Sequence, residues 1–145
     1  MTSSAALANV RVVLIHTSHP GNIGAAARAM KTMGLSDLRL VGPKHFPDPQ
    51  AEAMASGAAD LLERVRGCAT LDEALQGTVL AAAANGRGRE VRPEALDARS
   101  AAQRLAAEAT QGPVALVFGP EQAGLTSEET SRCQLLVRIP VNPEY

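Results

Sequence analysis

Short apolar segments alternate with amphipathic ones along the 145 residues of the chain. The apolar segments are five to seven residues long and most contain β-branched side chains, which is typical of buried strands. They are residues 10–16 (VRVVLIH), 37–41 (DLRLV), 78–83 (TVLAAA), 114–118 (VALVF) and 135–139 (LLVRI). We therefore predict five strands.

The segments between these strands have helical patterns. Residues 22–33 carry apolar side chains at successive spacings of three, one, three and three residues, which places them on one face of a helix. Gly34 follows, at the position where helices commonly end on glycine. Residues 51–56 predict a short helix, and residues 100–110 predict an alanine-rich helix that ends before Gly112.

Two capping-box patterns predict further short helices. Thr70 is followed three residues later by Glu73, and Thr126 is followed by Glu129. Strands that alternate with helices favour an α/β fold, with a mostly parallel sheet covered by helices on both faces. No internal repeat or linker divides the sequence, so we expect residues 1–145 to form one domain.

The composition is that of a globular protein and limits its partners. Hydrophobic residues make up 46% and charged residues 20% of the chain, an ordinary globular mixture. The net charge of −1 means that any RNA contact requires a local basic patch. Aromatic residues are only 2%, which argues against a domain that stacks bases on aromatic side chains. No apolar run reaches the roughly 18 residues of a membrane helix, and the first residues do not resemble a signal peptide. We expect a cytoplasmic protein.

The cysteines and histidines predict neither a disulfide scaffold nor a metal site. Cys68 and Cys133 lie far apart and form no CxxC pair. His16 and His19 form an HxxH pattern, but no further ligand nearby completes a metal site. We therefore expect no bound metal and assign these histidines to loop or cap positions.

Ligands of parallel α/β sheets bind beyond the carboxyl ends of strands, so the loops after the predicted strands are the candidate sites. Gly86 and Gly88 do not complete a dinucleotide fingerprint, because Val91 stands where its third glycine belongs. Gly119 and Gly124 have the spacing of a P-loop, but no lysine follows. A Rossmann site and an NTPase site are therefore not favoured.

The first positive signal is residues 18–31 (SHPGNIGAAARAMK). Small residues allow this helix to begin close to the sheet. Arg28 lies roughly opposite the apolar face, where it could bind a phosphate through its planar guanidinium. The alternative is that Arg28 and Lys31 simply form a solvated helix face.

Two later segments also follow predicted strands. In residues 117–126 (VFGPEQAGLT), Gly119 permits close approach of a ligand to the backbone, and Glu121 could accept hydrogen bonds from a sugar or base. The alternative is an ordinary strand-to-helix turn. Residues 138–145 (RIPVNPEY) contain two prolines and predict a shaped irregular loop, or alternatively a frayed terminus.

Taken together and in this order, the three segments resemble the three signature motifs of the SpoU-type methyltransferases of the SPOUT superfamily. The resemblance spans nearly the whole chain. The segment TSHPGNIGAAARAMKTMGL is similar, more narrowly, to the tRNA (cytidine/uridine-32) 2′-O-methyltransferases, and DPQAEAMASGAAD and TLDEAL also fit that group.

The resemblance implies an enzyme that uses S-adenosyl-L-methionine to methylate a ribose 2′-hydroxyl in tRNA, at nucleotide 32 of the anticodon loop. It also implies a fold with a C-terminal trefoil knot and a homodimer whose active sites use both chains. By motif, the implied catalytic residues are Arg28, Asn22 and Glu121. The implied cofactor contacts are Ala84, Asn85, Gly86, Gly119 and Ile139. RNA contacts are expected at Arg28, Lys31, Arg87, Arg89 and Arg92, although the last three equally fit a solvated loop.

Two features depart from the family pattern. The family often has Thr-Ser-Ala-Arg after the third predicted strand, where this chain has Ala-Asn-Gly-Arg at residues 84–87; backbone contacts would survive this change and hydroxyl contacts would not. The sequence also stops at Tyr145, within the third motif. We therefore expect a domain truncated at its C-terminal end, with an incomplete knot and weak cofactor binding.

Several other functions fit the same residues. The substrate could be another tRNA position or rRNA. The chain could be a catalytically inactive RNA-binding SPOUT domain, although Asn22, Arg28 and Glu121 are all present. A flavodoxin-like domain for another small ligand is a further alternative, which affinity for S-adenosylhomocysteine would distinguish.

Overall fold

The computed structural model describes residues 4–84 and 94–138, and within them all strands join one parallel sheet. Neighbouring strands follow the order β3-β2-β1-β6-β4-β7-β5, and each paired neighbour runs parallel. The strands are β1 (Val10–Ile15), β2 (Asp37–Val41), β3 (Arg66–Cys68), β4 (Leu80–Ala84), β5 (Glu94–Asp97), β6 (Val114–Phe118) and β7 (Leu135–Arg138). The predicted α/β fold with a parallel sheet is confirmed.

Helices connect these strands and cover the sheet. A single 3-10 turn, Ser56–Ala58, joins the third and fourth helices. The helices are α1 (Ser4–Ala8), α2 (Pro20–Met33), α3 (Pro49–Ala55), α4 (Ala59–Glu63), α5 (Leu71–Ala74), α6 (Ala98–Glu108) and α7 (Ser127–Ser131).

The predicted helix boundaries are close to the observed ones, and local chemistry explains the differences. Helix α2 begins two residues before the predicted position, because Pro20 fits the first helical turn, where its missing N–H is not needed. Gly34 ends α2 in the left-handed conformation, with φ of 81°. Helix α6 begins before residue 100, because the carboxylate of Asp97 accepts a hydrogen bond from the Ser100 N–H at 2.7 Å.

The two predicted capping boxes differ in the structure. Thr126 and Glu129 form a complete reciprocal box at the start of α7. Thr70 accepts a hydrogen bond from the Glu73 N–H at 3.1 Å, as predicted. The Glu73 carboxylate, however, accepts from the Ala69 N–H at 2.8 Å. Both helices therefore begin at the predicted threonines.

Four elements were not predicted: α1, α4, β3 and β5. Strand β3 is only three residues long, with Arg66 and Gly67 exposed, so it has no apolar pattern to detect. Strand β4 begins at Leu80, two residues later than predicted. Residue 139, the predicted end of the last strand, lies outside the described residues. The C-terminal knot stays a prediction.

The core lies on both faces of the sheet. On one face, α2, α3 and α4 cover Val12, Leu14 and Leu38, and α6 covers the neighbouring half at Ala82 and Leu135. On the opposite face, α5 and α7 cover a second apolar layer. That layer includes Val13, Ile15, Ala81, Ala83, Val117 and Leu136. These strands are buried on both faces, as their continuous apolar sequences predict.

Candidate functional site

The carboxyl ends of four neighbouring strands, in the order β1-β6-β4-β7, meet at the middle of the sheet. Ala84, the last residue of β4, pairs in register with Phe118 at the end of β6 and with Val137 of β7. Phe118 also pairs with Leu14 of β1. The loops that carry the first two sequence motifs therefore leave the adjacent strands β1 and β6, and the third motif follows β7, which β4 separates from β6. The described parts of the predicted site thus lie at the carboxyl end of one sheet.

A carboxylate joins two of these loops at the start of α2. Glu121, in the loop after β6, accepts hydrogen bonds from the Ser18 N–H at 3.0 Å and the His19 N–H at 3.2 Å. It also accepts one from the side-chain amide of Asn22 at 2.7 Å. His19 is the N-cap residue of α2 but makes no side-chain cap bond. Glu121 therefore holds the two residues that precede α2 and the Asn22 side chain of its first turn, at the helix end where a negative charge is favourable.

These contacts, which we call the Glu121 clamp, strongly favour the ionised carboxylate. Desolvation raises the pKa of Glu121, but hydrogen bonds from the Ser18 N–H, the Asn22 amide and the His19 N–H outweigh it. The pKa of Glu121 falls from 4.5 to about 2. The group is therefore a permanent anion near neutral pH and cannot serve as a general acid.

The clamp makes the stability of the site depend on acidity. Because the folded-state pKa is depressed, the stabilisation is fully present above pH 4.5 and is lost as the pH falls through about 2. We expect Glu121→Gln to lower the free energy of unfolding by about 1 kcal/mol near neutral pH, a modest value because the residue is exposed. Urea unfolding at pH 7, 4 and 2.5 checks this.

The difference between the wild type and Glu121→Gln should shrink steadily as the pH approaches 2. A matched control is Glu128→Gln, which also changes an exposed carboxylate and should show little effect. A difference that stays constant across the pH range would contradict the assignment of this titration to Glu121.

The loop from Gly119 to Leu125 folds tightly over the end of β6. A Cβ atom at Gly119 would lie 2.6 Å from both the carbonyl carbon of Gly124 and the nitrogen of Leu125, closer than real atoms approach. Gly124 has φ of 72°, and its N–H donates to the Pro120 carbonyl at 2.9 Å. The two glycines of this motif are thus required by the turn itself, which fixes the position of Glu121.

An apolar cleft of about 350 Å³ lies between α2 and the sheet, beside the clamp. Gly119, Asn22 and Glu121, three of the residues singled out by the sequence motifs, line it together. The other residues that line it are Val12, Leu14, Thr17, Ala25, Ala26 and Phe118. An apolar cleft with a few polar groups at one end is typical of a small-ligand site.

Arg28 does not line this cleft. It is exposed on α2 and borders two shallow depressions, one with Ala29 and Met54 and another with Lys31 and Gly57. Its guanidinium makes no hydrogen bond or ion pair with any residue within 4–84 or 94–138. The structure therefore brings Asn22, Gly119 and Glu121 together at the cleft, while Arg28 borders a neighbouring depression that shares Ala25 with it.

The remaining predicted residues fall into two groups. Lys31 hydrogen-bonds to Asp60 at 2.9 Å and to the Gly57 carbonyl at 3.2 Å, so much of its charge is already paired. Ala84 lies half-buried at the end of β4. Asn85, Gly86, Arg87, Arg89, Arg92 and Ile139 lie outside the described residues.

The sequence did not predict the hydrogen bonds that Ser18 and His19 donate to Glu121. Both act through backbone N–H groups, which every residue except proline carries, so no side-chain pattern identifies them.

In the described part of the chain, no cluster of three His, Cys, Asp or Glu side chains could hold a metal ion. Across residues 4–84 and 94–138, no helix has the length and apolarity to span a bilayer.

The fold and the cleft define a parallel α/β protein with a candidate ligand site at the carboxyl ends of its strands. The chain belongs to the SpoU rRNA methylase family, whose sequence model matches residues 9–145. This confirms the resemblance inferred from the three motifs.

Relatives and solved structures support the same assignment. The tRNA (cytidine/uridine-2′-O-)-methyltransferase TrmJ of Escherichia coli K12 is 50% identical over 139 residues, which is 96% of this chain and 56% of that protein. A probable methyltransferase from Bordetella pertussis superposes with a TM-score of 0.90 at 42% identity, covering 99% of this chain and 88% of that one. TrmJ from Zymomonas mobilis ZM4 superposes with a TM-score of 0.87 at 37% identity, covering 93% and 60%. The chain spans little more than half the length of the curated relatives it matches.

Proposed function

We propose that the protein transfers a methyl group from S-adenosyl-L-methionine to a ribose 2′-hydroxyl of tRNA, at nucleotide 32 of the anticodon loop. The observation that carries this proposal is the convergence of Asn22, Gly119 and Glu121 at one strand-end cleft. Membership of the SpoU family and 50% identity to a tRNA 2′-O-methyltransferase support it.

The ends of β4 and β6 fit the cofactor. Ala84 and Gly119 are small and half-buried, so backbone groups at these strand ends are accessible to a nucleoside. An rRNA methyltransferase from Sinorhizobium meliloti, 26% identical with a TM-score of 0.64 over 92% of this chain and 48% of that one, is described with S-adenosylmethionine bound. We assign the cofactor contacts to Ala84, Asn85, Gly86, Gly119 and Ile139. The bound cofactor would supply an electrophilic methyl group on sulfur.

The protein's own residues position the other reactant. The ribose hydroxyl would take the methyl group that the bound cofactor supplies, and it would release its proton to a phosphate oxygen or water. Charged Arg28 binds the adjacent phosphate through a planar pair of hydrogen bonds. Asn22 and α2 are held in place by the clamp, so Glu121 acts as a positioning residue.

We further propose that the active site is shared between two copies of the chain. Arg28 does not line the cleft that contains Asn22 and Glu121. Around it, α2 presents a mostly apolar surface with Ala25, Ala29 and Met33, and the side chain of Met33 is 58% exposed. A homodimer that covers this surface would bring Arg28 of one protomer toward the cleft of its partner.

Methyl transfer to defined tRNA transcripts tests the reaction and its position together. Full-length protein receives labelled S-adenosylmethionine and unmodified tRNA, and parallel transcripts carry a 2′-deoxy sugar at nucleotide 32 or 34. Position 34 is included because a neighbour of the same fold, 23% identical, is described as methylating C/U34 of tRNA. We expect only the deoxy-32 transcript to lose the label.

Other outcomes would correct the proposal. If only the deoxy-34 transcript loses the label, the reaction is as proposed but the methylated nucleotide is 34 instead of 32. Label in an rRNA fragment but not in tRNA would favour rRNA, the substrate named in the family's description. Binding of S-adenosylhomocysteine without transfer to either RNA would favour an inactive RNA-binding domain, and no binding would refute the proposed cofactor.

A further inference from the structure

All three histidines of the chain lie in the two loops beside the start of α2. His16 and His19 belong to the loop between β1 and α2, and His45 belongs to the loop between β2 and α3. Lys44 directly precedes His45, and all four residues are exposed. We call these four residues the His–Lys edge.

Backbone hydrogen bonds join the two loops into one surface. The His16 N–H donates to the Val41 carbonyl at 2.8 Å, and the Lys44 N–H donates to the Thr17 carbonyl at 3.1 Å. The ring Nδ1 of His16 lies 3.2 Å from the Gly42 carbonyl oxygen. Lys44 is therefore anchored next to Thr17, which lines the candidate cleft.

The backbone at this edge is held in an unusual conformation. His16 has φ of 53°, in the left-handed region that a non-glycine residue adopts only at a cost of roughly 1–2 kcal/mol. The adjoining Gly42 has φ of 54°, and a Cβ there would lie 2.9 Å from His16 Nδ1. Histidine is among the residues that adopt this region more readily than most, and the contact with Gly42 holds the exposed His16 ring at this edge.

Lys44 carries a charge that no described residue pairs. Its ammonium group makes no hydrogen bond or ion pair with the residues that the structure describes, whereas Lys31 pairs with Asp60. Two acidic residues beside this edge have other partners. Asp48 accepts from the Gln50 N–H at 2.8 Å, and Glu121 is occupied in the clamp.

We propose that the His–Lys edge binds the RNA strand next to the methylated nucleotide, with Lys44 on a backbone phosphate and His16 and His45 against unpaired bases. This inference rests on the proposed function. Single-stranded RNA is recognised by phosphate contacts together with stacking on aromatic rings, including histidine. Such an edge gives a chain with net charge −1 and few other aromatic residues a local surface for a nucleic acid.

The salt dependence of tRNA binding by full-length protein tests the phosphate contact. We expect Lys44→Ala to weaken the affinity for unmodified tRNA roughly three- to tenfold and to reduce the slope of log K against log salt by about 0.7. The kcat at saturating tRNA and the affinity for S-adenosylhomocysteine should not change. Lys44→Arg should retain the slope.

The matched control is Arg64→Ala. Arg64 is an exposed cation that follows α4. It precedes β3, so it lies near the amino ends of the strands, whereas the His–Lys edge lies at their carboxyl ends. Its loss should leave tRNA affinity and the salt slope unchanged. His45→Ala and His16→Asn should weaken tRNA binding several-fold without changing the slope, because stacking releases no counterions; asparagine tolerates the φ of residue 16.

The outcomes separate this inference from the function on which it rests. If the wild type methylates tRNA but Lys44→Ala binds tRNA as tightly as Arg64→Ala does, the edge is not an RNA surface and the proposed function stands. If both variants lose affinity equally, binding there is general electrostatics and the inference is also wrong. If the wild type neither binds nor methylates tRNA, both proposals fail.

Discussion

Lysine in place of Arg28 is expected to lower kcat for methyl transfer about a hundredfold, because a small displacement of a bound reactant has effects of that size. Arg28 is exposed and its guanidinium has no hydrogen bond or ion pair with the described residues, so it is available to a ligand. Lysine keeps the positive charge but cannot form two parallel hydrogen bonds to a phosphate. The nucleotide would then bind near the methyl donor without a fixed orientation.

The same substitution bears on how the hydroxyl loses its proton. An arginine side chain titrates above about 12, so using one as a base at pH 7 costs on the order of 7 kcal/mol. Lysine has a lower pKa, near 10.4, and would be the better base of the two. If the residue at position 28 acted as a base, Arg28→Lys would retain substantial turnover. Near-normal kcat in this variant would therefore refute the phosphate-binding role.

Single-turnover transfer with saturating tRNA and cofactor is the measurement, since it separates the chemical step from binding. Affinity for S-adenosylhomocysteine should remain that of the wild type, because Arg28 does not line the cleft with Gly119. Arg64→Lys makes the same exchange at an exposed position and should not affect the rate.

Mixing two inactive variants tests whether the site is shared between protomers. Arg28→Lys and Asn22→Ala would each be inactive alone. If Arg28 acts in the partner's site, a mixed dimer contains one complete site, and about a quarter of the wild-type activity is expected after subunit exchange of equal amounts. No recovery, with exchange shown by a tagged subunit, would place Arg28 and Asn22 in the same chain's site.

The apolar pattern of the sequence predicted the central strands because these are buried on both faces. It did not predict β3, whose Arg66 and Gly67 are exposed at the sheet edge. Nor could it place Arg11, which lies in a predicted strand but is buried. Arg11 donates to the carbonyls of Ala74 at 2.9 Å and Gln76 at 2.8 Å. Those partners are 63 and 65 residues away, so only the folded chain reveals them.

The candidate site shows the same limit. The motifs identified Asn22 and Glu121 separately, and the order of strands brings them together. Their direct hydrogen bond spans 99 residues, and it changes the role assigned to the carboxylate. The sequence motif indicates a functional role for Glu121 without specifying it. The contacts indicate that its carboxylate holds the start of α2 in place. The sequence did not place Arg28 relative to this pair, and only the structure shows that it borders a depression next to the cleft.

Alanine at Gly24 is expected to lower the free energy of unfolding by about 3 kcal/mol or more, the size typical of overpacking a buried contact. Gly24 lies in α2, where it crosses α3. A Cβ there would be 2.0 Å from the Ala51 carbonyl oxygen and 2.8 Å from the Ala55 nitrogen. These are backbone atoms of a helix, so they cannot move aside without displacing α3.

Helix propensity alone predicts that Gly24→Ala raises the free energy of unfolding, because alanine in a helix interior is favoured over glycine by roughly 1 kcal/mol. Gly57→Ala is the matched control, since a Cβ at Gly57 meets no atom within 4 Å. We expect Gly24→Ala to unfold at a temperature lower by about 10 °C, and Gly57→Ala to melt within a degree or two of the wild type.

The crossing at Gly24 also links stability to the site. Asn22 and Arg28 lie on either side of Gly24 on α2. The helix can accommodate a larger side chain at Gly24 only by moving away from α3. Any Gly24→Ala protein that remains folded at low temperature should therefore show a weakened Glu121 clamp and reduced methyl transfer. Equal or greater stability of Gly24→Ala would mean that the two helices do not cross as closely as the structure shows, and the positions assigned to both Asn22 and Arg28 would have to be revised.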